Sequence, residues 1–197
     1  MSIFDSLSGL LNADTVGAIA GSLGSEQGKT QSAVSAALPA LIAALASNTS
    51  KKSGRKSLNK ALKTDHDGGI LNDIGGFLTS SGGQAAGAAI LGHIFGGKQP
   101  AVQQQVAEKS GMDSADVAKM LATLAPVVMG FLGKKKRDEQ LTGKQIASQL
   151  ADDRRSIEQR PEVDTGWLGM LDSDGDGSPL NDLAGLAGGL LSGLSKK

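Results

Sequence analysis

Ala33-Val34-Ser35-Ala36-Ala37-Leu38-Pro39-Ala40-Leu41-Ile42-Ala43-Ala44-Leu45-Ala46 sets the architecture of this chain. Val34, Leu38, Leu41, Ile42 and Leu45 recur at spacings of three and four, one apolar stripe of a helix, and the alanines widen it. A helix apolar on nearly every side has to be buried on nearly every side. The pattern recurs 87 positions later, from Met120 to Gly133. There Pro126 falls on Pro39, and Leu121, Ala125, Val128, Met129 and Leu132 fall on the five stripe positions. Each proline sits inside its helix, where it removes one backbone hydrogen bond and is expected to bend the axis.

The flanks repeat as well. Ile3–Leu11 and Ala13–Leu23 read as short helices, the second capped by Asn12 and ended by Gly24. At the same offset Ile3 pairs with Ile90, Gly24 with Gly111 and Leu45 with Leu132. Leu58 and Leu62 match Ile146 and Leu150 one residue further on. Asn48 to Gly54 reads as a polar loop, and Ser80-Ser81-Gly82-Gly83 as a linker. No segment alternates with period two. The expected fold is therefore all-α, two tandem pseudo-repeated multi-helix units that share one core, with no sheet. The units are residues 1–80 and 84–152. A charged insert at 153–171 follows, densest from Asp153 to Glu162 and read as a flexible excursion. Residues 172–197 hold an acidic loop and a Gly/Leu-rich C-terminal helix.

Length and composition narrow the function. The chain has 197 residues, with 20 basic and 20 acidic side chains in balance, which argues against a general nucleic-acid binder. It has no cysteine, so disulfides and thiolate metal sites are excluded. Met1-Ser2-Ile3-Phe4-Asp5 lacks the basic start of a secretory signal, and the longest unbroken apolar runs are shorter than a membrane span. A soluble, cytoplasmic protein is expected.

The run from Ala107 to Gly111, then Ser114 to Leu124, then Pro126 with apolar residues after it, resembles the YidB-like family of bacterial proteins, a family of unknown function. Gly92-His93-Ile94-Phe95-Gly96-Gly97-Lys98-Gln99 and Asp65-His66-Asp67-Gly68 resemble segments of its longer members. The resemblance covers most of Ile3–Leu150 and the acidic loops. It implies an all-helical bacterial protein with no established activity, and it supplies no catalytic residues.

The chemistry is concentrated in Asp172-Ser173-Asp174-Gly175-Asp176-Gly177-Ser178. Carboxylates at alternate positions followed by glycine match the first half of an EF-hand calcium loop, in which alternate residues turn their oxygens toward one ion. Asp172, Asp174, Asp176, the Ser178 carbonyl and Asp182 are the expected ligands. Leu183 stands where the bidentate glutamate belongs, so binding is expected to be weak. The competing reading is a helix-entry device, in which Asx turns and the helix dipole account for the same residues without metal. The first copy of the loop keeps Asp65, Asp67 and Asp73 but has Lys63 at the first ligand position, which disfavours metal there. His93 is read as a core or rim histidine and His66 as a loop histidine with no metal-spaced partner. The basic stretches Lys51–Lys63 and Lys134–Arg137 each follow a proline-bearing helix, where cations offset its C-terminal dipole.

No catalytic constellation emerges. The expected function is non-enzymatic: a binding or scaffolding protein with a calcium-type loop, its partner another protein or a second copy of itself, and not nucleic acid. The alternative is a self-assembling or membrane-surface protein that uses the Gly/Leu tail and the basic patches.

Overall fold

The computed structural model describes residues 2–72, 74–79 and 81–160. Local signals set several helix ends. Ser2 accepts from the Asp5 amide and opens α1, Ile3–Leu10. The Asn12 side chain accepts from the Thr15 amide and opens α2, Ala13–Leu23, which Gly24 ends at φ 65°. The proline-bearing helix α3 spans Gln27–Ser50, and α4 follows at Lys52–Thr64 after a one-residue break. A 3₁₀ turn at Gly69–Asn72 leads to α5, Ile74–Thr79, and then α6, Ser81–Phe95. After a second 3₁₀ turn come α7, Gln99–Ser110, and α8, Ser114–Asp138, which holds Pro126. Thr142 and Gln145 form a reciprocal capping box at the start of α9, Gly143–Glu158.

The fold is all-α, with no strand among the described residues. Helices α3 and α8 pack against each other inside one core. α3 is flanked by α2, α4, α7 and α9, and α8 by α6, α7, α4 and the first 3₁₀ turn. Leu41, Ile42, Leu121, Leu124 and Leu132 are completely buried, and side chains of both halves belong to one cluster. By length and composition both α3 and α8 could cross a membrane. Their apolar windows are instead 78% and 72% buried within the protein, as core helices are.

Three boundaries differ from the sequence reading. The polar stretch from Asn48 is helical to Ser50, because Thr49 Oγ1 bonds back to the Leu45 carbonyl and Arg55 reaches the carbonyls of Thr49 and Ser50. α6 begins at Ser81, inside the stretch read as a linker. The charged stretch beginning at Asp153 is no excursion in its first part. α9 runs through it to Glu158, with Asp153 and Ile157 buried. Asp153 accepts from the Ile3 amide at 2.7 Å and from Ser2 Oγ at 2.5 Å, so it caps α1 from the far end of the chain. Arg154 bonds Ser47 on α3 at 2.9 Å and pairs with Glu158 one turn on.

Candidate functional site: the groove between α4 and α6

α4 carries Lys52, Arg55, Lys56, Lys60 and Lys63 and no acid. Only Leu58 and Leu62 point into the core, so the rest of the helix presents cations to water. Arg55 is spent on the C-terminal carbonyls of α3, as the dipole argument expected. At the second basic stretch, Lys134 pairs with Asp138 and Lys135 with Glu139. Arg137 donates to the Asp67 carbonyl at 2.8 Å. Arg55, Lys134, Lys135 and Arg137 are therefore held by local partners.

The Asn48 side chain ties α6 to α3. Asn48 Nδ2 donates to the carbonyls of Ile94 at 2.7 Å and His93 at 3.2 Å. α4 approaches α3 so closely at Gly54 that an added Cβ would lie 1.7 Å from the Asn48 carbonyl oxygen. These two attachments hold α4 and α6 on either side of the end of α3 and leave a groove of about 810 Å³ between them. Its floor is apolar, with Leu45, Leu58, Ile90, Ile94 and Met129. Its rim is polar, with Lys51, Lys60, Asp65, His66 and His93. Both histidines of the chain thus meet one groove, although they lie 27 residues apart. His93 is exposed on the rim, one of the two places its sequence reading allowed, and not in the core; its residue is held through its backbone carbonyl. His66 is half-buried. Burial holds its imidazole below the ordinary value, and the Asp65 charge raises it in part.

The first acidic loop is seated rather than open. Gly68 adopts φ 96°, and its neighbour Asp67 accepts from the Gly69 amide at 2.9 Å in an Asx turn. The loop lies directly on α8: a Cβ at Gly133 would meet the His66 carbonyl at 1.6 Å, and one at Gly130 would meet Ile70 at 2.4 Å. Among the described residues no cluster of three or more His, Asp or Glu side chains could hold a metal ion. Asp67 forms the Asx turn that the helix-entry reading supposed, Asp65 instead stands at the C-terminal end of α4, and Asp73 lies outside the described residues. So do Asp172, Asp174, Asp176, Ser178 and Asp182, the whole expected calcium loop, together with the Gly/Leu tail.

Sequence reasoning singled out the two histidines but missed their meeting place and the Asn48 attachment. Nothing local announces either, because the groove is assembled from helices far apart in the chain. An apolar floor under a rim of lysines and imidazoles suits a ligand with an apolar body and an anionic edge.

A family model described as a bacterial protein of unknown function (DUF937) matches residues 5–135. No curated protein and no solved structure matches the chain.

Proposed function

The chain belongs to this bacterial family of unknown function, and on that premise we propose that it is a non-catalytic binding protein whose groove between α4 and α6 receives an amphipathic, anionic partner surface. Membership of this family brings no activity with it. The carrying observation is the groove itself, an apolar floor beneath Lys51, Lys60, His66 and His93. Protein partners of that chemistry, or a second copy, fit a binding or scaffolding role in the cytoplasm. The test uses anilinonaphthalene sulfonate, which has an apolar ring system and one negative charge. Lys60→Glu and Ile90→Asp should each weaken its binding about tenfold, one through charge and one through the floor. Equal affinity in wild type and both variants would overturn the reading.

The same proposal includes weak calcium binding at Asp172, Asp174, Asp176, the Ser178 carbonyl and Asp182. Support comes from the alternate carboxylates ending in Gly177, and from the absence of any Lys or Arg between Trp167 and Leu194 to offset their charge. Affinity should be about 10⁻⁴ to 10⁻³ M, the range of low-affinity modules. Terbium luminescence sensitised by Trp167 should appear in wild type, disappear in Asp174→Ala and be competed away by calcium. The same signal in both proteins would refute the site.

A second reading rests on α4, whose four lysines and absent acids form a basic face. A protein using that face would float with anionic vesicles and not with zwitterionic ones.

A further inference from the structure

The 87-residue offset exposes one place where the two halves of the fold differ. Pro126 has no N–H to give the carbonyl four residues back, that of Ala122, and Pro39 likewise cannot serve the carbonyl of Ser35. On α8 that carbonyl is covered by α6. Gly87 lies so close that an added Cβ would sit 1.7 Å from the Ala122 oxygen. A glycine Cα–H against a carbonyl freed by proline is a favourable close contact that only glycine permits. Ala122 and Thr123 are accordingly buried, at 6% and 5% exposure.

On α3 no such cover is seen among the described residues. α1 starts at Ile3, whereas α6 starts at Ser81, nine residues before Ile90, the offset partner of Ile3. Ser2 is extended and caps α1, so the turns that do this covering in α6 have no counterpart within α1. Ser35 is exposed, and a groove of about 530 Å³ runs past it between α1, α3 and α7. Phe4, Leu11, Val34, Leu38 and Pro39 form its apolar wall.

We infer that the chain's own segment Leu183–Leu194 seats in this groove and does for α3 what the first turns of α6 do for α8. Three observations select that occupant. The chain is carried to the rim by Arg160, whose guanidinium lies 4.9 Å from the centre of the Phe4 ring and 2.8 Å from Asp5. The segment combines Leu183, Leu186, Leu190, Leu191 and Leu194 at helical spacing with Gly185, Gly188, Gly189 and Gly193. That supplies the apolar stripe the wall needs and the glycines a close backbone approach needs. The other seat that the first half of the fold suggests is taken: Gly130 and Gly133 of α8 receive the 66–70 loop, whereas on α3 the last turns of α9 lie there, with Arg154 on Ser47. The 22 residues between Arg160 and Leu183 easily span the groove.

The chain has no cysteine, so disulfide trapping in the full-length protein is direct. Ser35→Cys is combined with Gly189→Cys, and Ser57→Cys with Gly189→Cys serves as the distant control. The proposal expects a disulfide within one chain to form about tenfold faster for the Ser35 pair. Equal rates for the two pairs would overturn it. Disulfide-linked dimers from the Ser35 pair would also overturn it, in favour of a second copy as the occupant. Ser35→Arg alters an exposed position and should leave the fold intact. It should speed amide exchange across 183–194 about tenfold by blocking the seat, and unchanged exchange there counts against the proposal.

Discussion

Replacing Asp153 with alanine should destabilise the protein by about 3 kcal/mol. Asp153 is 5% exposed, on α9, and accepts the Ile3 amide and the Ser2 hydroxyl at the start of α1. Removing it leaves a buried backbone donor without a partner, which costs about 1–3 kcal/mol. It also removes a carboxylate from a helix N-terminus, worth about 0.3–1 kcal/mol and up to about 2 in partly buried geometry. For a chain of this length each kcal/mol lowers Tm by about 2–4 °C, so a fall of about 6–12 °C is expected in a thermal melt followed by circular dichroism. Asp153→Asn keeps the shape and one acceptor, so it should recover a substantial part of the loss. Asp152→Ala, on the exposed side of the same helix, should stay within about 0.5 kcal/mol of wild type. If Asp153→Ala melts where Asp152→Ala melts, the buried cap is wrong, and the charged stretch is the excursion its composition suggests.

Gly133→Ala should cost about 3 kcal/mol, the upper end of overpacking penalties, because its Cβ would strike the His66 carbonyl oxygen at 1.6 Å. Gly21→Ala, inside α2 with open space around it, should instead stabilise by about 0.5–1 kcal/mol in denaturant titration. His66 gives a pH dependence of fixed sign. Its folded pKa is lowered, so the unfolded chain binds more protons once pH falls below the ordinary value of about 6.5. Stability should therefore fall as pH drops from 7 toward 5.5, and His66→Gln should flatten that part of the profile. An unchanged slope in the variant would show that another group is responsible.

What could be read from the sequence was local or periodic. Asn12 and Gly24 bounded α2 correctly because a side-chain cap and a left-handed glycine act within one turn of the chain. The stripe of α3 identified a buried helix because its spacing is independent of its neighbours. The ends of α3 and α9 were missed for the opposite reason. Ser50 stays helical through Arg55, and Asp153 stays helical through Ser2 and Ile3, 150 residues away. A run of charges reads as solvent-facing unless such a partner is known. His93 lay on an apparent apolar face because Ile90, Leu91, Ile94 and Phe95 surround it in sequence, yet its own direction is outward. The groove that gathers His66 and His93 depends on how Asn48 anchors α6, which no local pattern encodes.

The binding claim is tested most directly by mapping the anilinonaphthalene sulfonate site with amide chemical shifts in the full-length protein. The account predicts that saturating probe moves the amides of Leu58, Ala61, Ile90 and Ile94, with the His66 and His93 ring signals shifting in step. Probe-induced shifts confined to other helices, or none at saturation, would contradict it.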